Sequence, residues 1–223
     1  MHIIAEELSK YYTRGGEQIA ALQGVHLQIP AGAFVFIVGP SGCGKSTLLH
    51  LLGGMDRPSS GRLAVNGFAL ENASDDALTR FRREHVGFVF QFFNLLSSLD
   101  ALDNVTLPLL ARKQHLKTAR QQAAELLEQV GLSARKHHKP AELSGGEQQR
   151  VAIARAIIGK PSLVLADEPT GDLDADNAQA VMALMLALNR SLGITFIVAT
   201  HNTALTGFGD RLYELHAGKL QER

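Results

Sequence analysis

The order of hydrophobic and polar residues predicts two strands in the first part of the chain. Val25, Leu27 and Ile29 alternate with polar neighbours, as in a strand with one buried face. Pro30 to Gly32 then signals a turn, and residues 33–38 form an uninterrupted apolar run. We therefore expect this run to be a strand that is buried on both faces.

Helical spacing begins shortly after this second strand. Residues 46–52 carry apolar side chains at helical intervals, and Gly53-Gly54 is a typical helix terminator. Residues 61–65, followed by Asn66-Gly67, predict one strand of a hairpin. Residues 86–90 predict another short apolar strand.

The pattern becomes helical between about residues 91 and 160. Leucine and alanine dominate residues 104–110 and 118–130 at helical spacing. No repeat, low-complexity run or proline-rich linker sets this block apart from its neighbours. We interpret the block as a helical subdomain inserted into a single domain that covers residues 1–223.

The last third of the chain returns to strands. Apolar runs at residues 163–166 and 195–199 predict two strands, and a helical pattern at residues 177–192 separates them. Strands that alternate with helices are typical of a parallel sheet. The expected fold class is therefore α/β.

Composition and charge narrow the possible functions. The chain has 22 Lys and Arg against 22 Asp and Glu, and this zero net charge disfavours a nucleic-acid-binding protein. Its single cysteine, Cys43, excludes a disulfide framework. Apolar runs such as residues 33–38 and 180–188 are shorter than the roughly 20 residues that span a bilayer. Residues 1–7 lack the apolar core of a signal peptide, so we expect neither membrane crossing nor secretion.

Residues 39–46 read Gly-Pro-Ser-Gly-Cys-Gly-Lys-Ser and satisfy the pattern of a phosphate-binding loop, or Walker A motif. Glycines in such a loop let backbone N–H groups point at phosphate oxygens, beside the positive end of the next helix. Lys45 would neutralise the β- and γ-phosphates, and Ser46 would bind Mg²⁺ through its hydroxyl. The alternative is a glycine-rich structural turn. The predicted nucleotide-binding residues of the loop are Gly39, Pro40, Ser41, Gly42, Cys43, Gly44, Lys45, Ser46 and Thr47.

Two acidic residues follow the predicted strand at residues 163–166. This strand would deliver Asp167 and Glu168 to the carboxyl edge of the sheet, where open α/β sheets bind ligands. Asp167 would hold the Mg²⁺ ion, and Glu168 would polarise the attacking water. Capping of a helix is the alternative for such acids, and the neighbouring phosphate loop favours the catalytic interpretation.

A second glycine-rich motif opens a predicted helix that runs through Ile158. Residues 143–150 read Leu-Ser-Gly-Gly-Glu-Gln-Gln-Arg. A serine and two glycines at a helix start form another anion-binding site. The motif therefore predicts a second contact with a nucleotide, through Ser144, Gly145, Gly146 and Glu147.

Together these motifs resemble those of one family. The phosphate loop, Gln91, residues 143–150, residues 163–169 and His201 occur in the order found in the nucleotide-binding subunits of ABC (ATP-binding cassette) transporters. The resemblance covers the whole chain. It implies a P-loop NTPase (RecA-like) core with a parallel sheet, an N-terminal antiparallel β subdomain and an inserted helical subdomain. Three segments resemble sequences of the subgroup that serves lipoprotein release, macrolide export and antimicrobial-peptide resistance. They are residues 53–58, 86–91 and 166–174.

The resemblance also implies roles for single residues. Tyr12 would stack on adenine, with Tyr11 as the competing candidate. Gln91 would sense the γ-phosphate and Mg²⁺ and link them to the helical block. His201 would contact the γ-phosphate.

Other residues would act across a dimer. Ser144 and Gly146 would bind the γ-phosphate held by the opposite subunit, and Asp174 would lie at the dimer seam. The resemblance thus implies a head-to-tail homodimer around two MgATP. It also implies integral membrane permease subunits as partners, with the chain bound peripherally at the cytoplasmic face of the inner membrane.

An ABC ATPase without a membrane partner is the alternative function. DNA-organising relatives carry a long coiled-coil insertion, and translation relatives carry two cassettes in one chain. This chain has one cassette and no heptad stretch, which favours the transporter subunit.

Four positions leave further alternatives open. The apolar segment at residues 92–96 could dock a helix of a membrane protein or cover the core of the helical block. Cys43 could be a reactive thiol in an anion-attracting loop or an inert residue. Asp172 stands where the subgroup usually has Asn or Ala, and Asn202 stands where it usually has an acid. Either difference could tune the rate of ATP hydrolysis.

Overall fold

A computed structural model describes residues 3–223, and within these residues the strands form two sheets. One sheet has four strands in the order β2-β1-β4-β5, and the other has six in the order β10-β9-β3-β8-β7-β6. The strands are β1 (Ile3–Arg14), β2 (Glu17–Ile29), β3 (Phe34–Val38), β4 (Ser60–Val65), β5 (Phe68–Ala69), β6 (Val86–Phe90), β7 (Leu163–Asp167), β8 (Thr195–Thr200), β9 (Arg211–His216) and β10 (Lys219–Glu222).

Six α-helices and three short 3₁₀ helices connect these strands within the described part of the chain. The 3₁₀ helices cover Ser133–Arg135, Pro140–Glu142 and Thr203–Phe208. The α-helices are α1 (Lys45–Leu52), α2 (Asp75–His85), α3 (Ala101–Ala111), α4 (Leu116–Gln129), α5 (Gly145–Ile157) and α6 (Ala175–Leu192).

The six-stranded sheet is parallel except at one edge. Strand β3 pairs in parallel with β8 and β9, and the parallel pairing continues from β8 to β7 and β6. Only β10 runs antiparallel to its neighbour β9. Because all the parallel strands end at one edge, the loops after β3, β6, β7 and β8 lie close together. The predicted parallel α/β arrangement is confirmed.

Strand β3 is buried over its full length because helices cover both faces of the sheet. Phe34 and Phe36 belong to a core cluster that includes side chains of α5 and α6. Val35 and Ile37 belong to a second cluster that includes the leucines of α1. Burial on both faces therefore explains the uninterrupted apolar run, as the sequence pattern indicated.

Helices α3, α4 and α5 lie between β6 and β7, where the sequence predicts a helical block. Asn104 in α3 is fully buried and ties the preceding loop to this block. Its amide oxygen accepts from the Leu96 N–H at 2.8 Å, and its amide nitrogen donates to the Leu96, Leu99 and Asp100 carbonyls at 3.0–3.2 Å. Residues 96–100, which follow the segment after Gln91, are thereby fixed.

The sequence pattern does not predict three of the strands, β1, β9 and β10. The pattern of β1 is irregular because its pairing with β2 shifts register three times between Ala5 and Tyr11. Glu7 interrupts β1 with a φ of 51°, in the left-handed region. Among the helices of residues 3–223, none combines the length and the apolar character that a membrane span requires.

Candidate active site

A pocket of about 780 Å³ opens where the parallel strands end. It is lined by the phosphate loop, by the residues at the carboxyl ends of β6 and β7, and by the residue that follows β8. The predicted site residues that line it are Tyr12, Ser41, Gly42, Gly44, Lys45, Ser46, Thr47, Gln91, Asp167, Glu168 and His201. The fold therefore brings motifs from five separate parts of the sequence to one place.

The phosphate loop joins β3 to α1, and two of its glycines are sterically required. A Cβ atom at Gly39 would lie 2.2 Å from the Leu215 carbonyl oxygen, and one at Gly44 would lie 2.4 Å from the Ala21 carbonyl oxygen. Gly44 also has a φ of 111°, which L residues rarely adopt. The loop can therefore pass close to its neighbours only because these positions lack side chains.

Lys45 is buried at the base of this loop, with 7% of its surface exposed. Its Nζ donates to the carbonyl oxygens of Gly39 at 2.7 Å and Pro40 at 3.1 Å. Oε1 of Glu168 lies 3.7 Å from the same nitrogen. Among residues 3–223, Glu168 is thus the one carboxylate within 4.0 Å of this ammonium group, which lines the pocket.

Glu168 lies between the lysine and the predicted histidine. Its Oε2 lies 3.0 Å from Nδ1 of His201 and accepts from the His201 backbone N–H at 3.3 Å. The Glu168 backbone adopts a φ of 47°, and its N–H donates to the Ala199 carbonyl of β8 at 2.8 Å. A left-handed φ is uncommon for glutamate, so the neighbouring strand holds this carboxylate in a specific orientation.

Three oxygen-bearing side chains lie around the pocket at the positions predicted for Mg²⁺. They are the Ser46 hydroxyl, the Asp167 carboxylate and the Gln91 amide. Mg²⁺ prefers oxygen ligands and usually combines one or two carboxylates with waters and substrate phosphates. The donor set therefore fits this ion.

Asp172 contacts the predicted γ-phosphate sensor. Nε2 of Gln91 donates to Oδ1 of Asp172 at 3.2 Å. The departure from the subgroup pattern at this position therefore places a carboxylate directly against Gln91. No local sequence pattern indicates this contact, because the two residues lie 81 positions apart along the chain.

The second glycine-rich motif does not line the pocket of its own chain. Ser144 caps the N-terminus of α5, where its hydroxyl accepts from the Glu147 N–H at 3.3 Å. The Glu147 carboxylate in turn accepts from the Ser144 N–H at 2.8 Å. Ser144 is exposed, so the first turn of α5 can receive an anion from outside the chain.

Asp174 begins helix α6 beside this motif. Its carboxylate accepts from the Asn177 backbone N–H at 2.9 Å and from the Asn177 side chain at 2.7 Å. These hydrogen bonds lower the pKa of Asp174 from its ordinary value. A Cβ atom on Gly146 would lie 2.7 Å from the Asn177 side-chain oxygen, so the N-termini of α5 and α6 are in contact.

Arg155 connects helix α5 to the segment that follows Gln91. Its guanidinium group donates to the carbonyl oxygens of Phe93 at 2.8 Å and Asn94 at 2.5 Å. Both residues have a left-handed φ, 58° and 48° respectively. Burial lowers the pKa of Arg155. Sequence reasoning did not identify this residue.

Within the apolar segment at residues 92–96, some side chains face outward and could dock a membrane helix, and others pack on the core. Phe92 is 72% exposed and Leu96 is 50% exposed. Phe93 is half-buried, and Leu95 packs against the core that includes the helical block. Only Phe92 and Leu96 are therefore available as an external apolar surface.

Cys43 belongs to the phosphate loop, but its side chain is buried. Its side chain is 8% exposed and belongs to the core cluster that contains Leu48 and Leu49 of α1. The hypothesis of a reactive thiol open to the pocket is therefore wrong, and the inert alternative fits. Reactive cysteines are partly exposed, whereas this thiol packs among aliphatic side chains.

Comparison with known proteins assigns the arrangement to a family. Residues 22–171 match the family described as ABC transporter. The chain belongs to the ABC transporter family. The match covers the phosphate loop, the Ser144 motif and the two acidic residues at the end of β7, so the family resemblance of these motifs is confirmed.

Two curated ABC proteins illustrate the similarity. The lipoprotein-releasing system ATP-binding protein LolD of Chromohalobacter salexigens is 48% identical over 217 residues, which cover 97% of this chain and 92% of the relative. LolD of Xanthomonas campestris pv. campestris (strain 8004) is 49% identical over 220 residues, 99% of this chain and 92% of the relative.

Solved ABC structures share the fold. The dimeric ATP-binding cassette MJ0796, in a post-hydrolysis state bound to ADP and Pi, superposes with a TM-score of 0.91 and 41% identity. That similarity covers 99% of this chain and 97% of the other. The cbiO1 protein from Clostridium perfringens gives a TM-score of 0.88 at 29% identity, with 98% and 86% covered. The chain is therefore an ATP-hydrolysing cassette with the predicted P-loop NTPase core.

The Ser144 cap predicts a dependence of stability on pH. The hydrogen bond from the Ser144 N–H, aided by neighbouring Arg135, holds the pKa of Glu147 below its ordinary value. Ionised Glu147 therefore stabilises the fold above its unfolded pKa of roughly 4.3, and this contribution disappears as pH falls through the lower folded value.

We expect Glu147→Gln to reduce the stability of the fold most at neutral pH and progressively less below pH of about 4. Urea unfolding of the wild type and the variant across this range measures the difference. Glu128→Gln, which removes an exposed carboxylate from α4, serves as the control. A difference that does not change with pH would contradict the role assigned to the Glu147 charge.

Proposed function

We propose that this chain hydrolyses MgATP as a head-to-tail homodimer and drives integral membrane permease subunits of the lipoprotein-release type. One observation supports the homodimer most directly. The pocket is lined by the phosphate loop, while the anion-binding N-terminus of α5 lies outside it. A single chain therefore holds two incomplete halves of a nucleotide site. Two copies related by a twofold axis complete two sites at once.

In each site the phosphate loop binds the nucleotide. The backbone N–H groups of Gly42, Gly44 and Lys45 meet the phosphate oxygens at the N-terminus of α1. The Lys45 ammonium turns from the loop carbonyls to the β- and γ-phosphates, whose charge it neutralises. Ser46 and Asp167, with Gln91 nearby, would hold Mg²⁺, which would stabilise the developing charge on the phosphate.

Glu168 acts as the general base. Its carboxylate polarises the water that attacks the γ-phosphorus, and it accepts the water proton as the bond to the bridging oxygen breaks. His201 lies 3.0 Å from this carboxylate, where it orients Glu168 and can donate to the γ-phosphate. Tyr12 lines the pocket, whereas Tyr11 is not among its lining residues, so we assign Tyr12 to adenine.

The Ser144 motif of the opposite copy completes each site. Its helix N-terminus brings unpaired N–H groups and a partial positive charge to the γ-phosphate. ATP thus lies between the two copies and holds them together, and hydrolysis removes this link.

Replacement of the base tests this mechanism. We expect Glu168→Gln to keep ATP binding but to lower the hydrolysis rate at least about 100-fold, because the amide cannot accept a proton. The variant should accumulate as a dimer in MgATP, since the γ-phosphate stays in place. Phosphate release and light scattering during size-exclusion chromatography measure the two effects.

Lys45→Ala is the contrasting variant. It should lose nucleotide affinity and stay monomeric in MgATP, because the phosphate charge is left without its cation. A Glu168→Gln protein that hydrolyses ATP at the normal rate, or that never dimerises, would contradict the assignment.

A surface beside Gln91 supports the membrane partner. Phe92 and Leu96 expose apolar side chains on either side of Asn94, which lines a groove of about 300 Å³ bordered by β6, α2, α3 and α5. Arg112 and Arg155 line this groove, and in residues 3–223 neither has a carboxylate within 4.0 Å. The surface suits an apolar helix that carries an acidic side chain.

The named relatives support the type of partner. Both LolD proteins belong to lipoprotein-releasing systems and match nearly the whole chain. We assign this chain to the same type of system, bound peripherally at the cytoplasmic face of the inner membrane. The alternative without a membrane partner gains no support from the exposed apolar surface.

We expect Leu96→Glu to abolish co-purification with the permease subunits, because a charge would be buried against an apolar helix. ATP hydrolysis by the isolated chain should remain, since Leu96 does not line the nucleotide pocket. Leu192→Glu is the matched control, because this equally exposed leucine lies at the other end of the sheet. Loss of both ATP hydrolysis and permease co-purification in Leu96→Glu would contradict the proposed docking surface. So would loss of permease co-purification in Leu192→Glu.

A further inference from the structure

Three side chains form a connected group at one wall of the nucleotide pocket. Nζ of Lys10 donates to Oδ1 of Asp56 at 2.6 Å and to the Arg57 carbonyl at 2.8 Å. The Tyr12 hydroxyl donates to Oδ2 of the same carboxylate at 2.9 Å. Both oxygens of Asp56 are thus hydrogen-bonded, and Oδ1 also accepts from the Arg57 backbone N–H at 2.7 Å.

Lys10 also contacts the tyrosine directly. Its Nζ lies 5.0 Å from the centre of the Tyr12 ring, a cation–π distance. One face of the ring is therefore covered by the ammonium group, and a base that stacks on the ring must use the other face. The ring is 40% exposed and lines the pocket, so such a face is accessible.

Asp56 is fixed to the same helix that begins with the phosphate-binding lysine. Helix α1 runs from Lys45 to Leu52, and the Asp56 N–H donates to the His50 carbonyl at 3.3 Å. The chain that follows is joined to β1, where the Tyr11 N–H donates to the Ser59 hydroxyl at 3.0 Å. The end of α1 is thereby linked to the strand that carries Lys10 and Tyr12.

We propose that Asp56 is a positioning residue that holds the Tyr12 ring, through its hydroxyl, so that the free ring face meets the base of the bound nucleotide. This inference rests on the proposed function, because it requires ATP in this pocket. Helix α1 and the residues just after it would then position both ends of the bound nucleotide. Lys45 at its start fixes the phosphates, and Asp56 beyond its end fixes the aromatic surface for the base.

The charges of the group agree with this role. Burial, together with the hydrogen bond to Asp56, raises the pKa of Tyr12, so the phenol keeps its donor proton. Burial alone would raise the pKa of Asp56, but the hydrogen bonds from Lys10, the Arg57 N–H and Tyr12 lower it. Both partners thus stay in the states that the contact needs.

The proposal separates ligands that have a base from those that lack one. Stacking acts on any aromatic base, whereas tripolyphosphate has no base and binds only to the groups that contact the phosphates. A variant that frees the ring should therefore weaken ATP binding and leave tripolyphosphate binding unchanged. A variant that merely disturbs the fold of α1 should weaken both.

Asp56→Ala, Tyr12→Phe and the double variant test this inference. We expect Asp56→Ala and Tyr12→Phe each to raise the KM for ATP about fivefold, as for loss of one hydrogen bond, with kcat within about twofold of wild type. The double variant should show no further increase, because both changes break the same contact. The Kd for magnesium tripolyphosphate, measured by calorimetry, should stay unchanged in all three.

Asp75→Ala is the control, because it removes a carboxylate that pairs with Arg57 at 2.6 Å on the exposed side of the same loop. Its KM for ATP should equal that of the wild type. If Asp56→Ala fails to fold, Tyr12→Phe alone decides, since it keeps the ion pair between Lys10 and Asp56.

Three results would overturn the proposal. They are an unchanged KM in Tyr12→Phe, additive effects in the double variant, and an equal loss of tripolyphosphate binding. Failure of the proposed function gives a different result, since the wild-type chain would then hydrolyse no ATP at all.

Discussion

The buried ammonium group of Lys45 sets the requirements for the whole site. It is 7% exposed, bound by two carbonyls of its own loop, and has one carboxylate 3.7 Å away. A cation in such a place is costly unless an anion compensates it. The phosphate loop, the end of β7 and the residue after β8 all surround this charge, so the pocket is built for a ligand with several negative charges.

A single helix connects the parts of the molecule that must respond to that ligand. The N-terminus of α5 carries Ser144, which we assign to the nucleotide of the opposite copy. Near its other end, Arg155 holds the Phe93 and Asn94 carbonyls, immediately after Gln91. Movement of α5 as a rigid element would therefore reach the loop beside the docking surface. Asp172 adds a contact from the dimer-seam loop to Gln91 at 3.2 Å.

The sequence predicted those features that depend on local patterns. Residues 39–46 form the loop because their glycines permit a turn between a buried strand and a helix, and this requirement is readable from adjacent residues. The partners Lys10 and Asp56 lie 46 positions apart, and Phe93 and Arg155 lie 62 apart, so no local pattern announces either contact. The roles of residues 92–96 likewise depend on the fold, which packs the partly buried Leu95 against the core and exposes Leu96.

The central claim is that each nucleotide site is shared between two copies, and mixing of two inactive variants tests it most directly. Lys45→Ala removes the phosphate-binding lysine, and Ser144→Arg blocks the N-terminus of α5. A mixed dimer has one site with both changes and one site with neither, so equal mixing of the two proteins should restore ATP hydrolysis that neither shows alone. A mixture as inactive as its components would contradict the shared site.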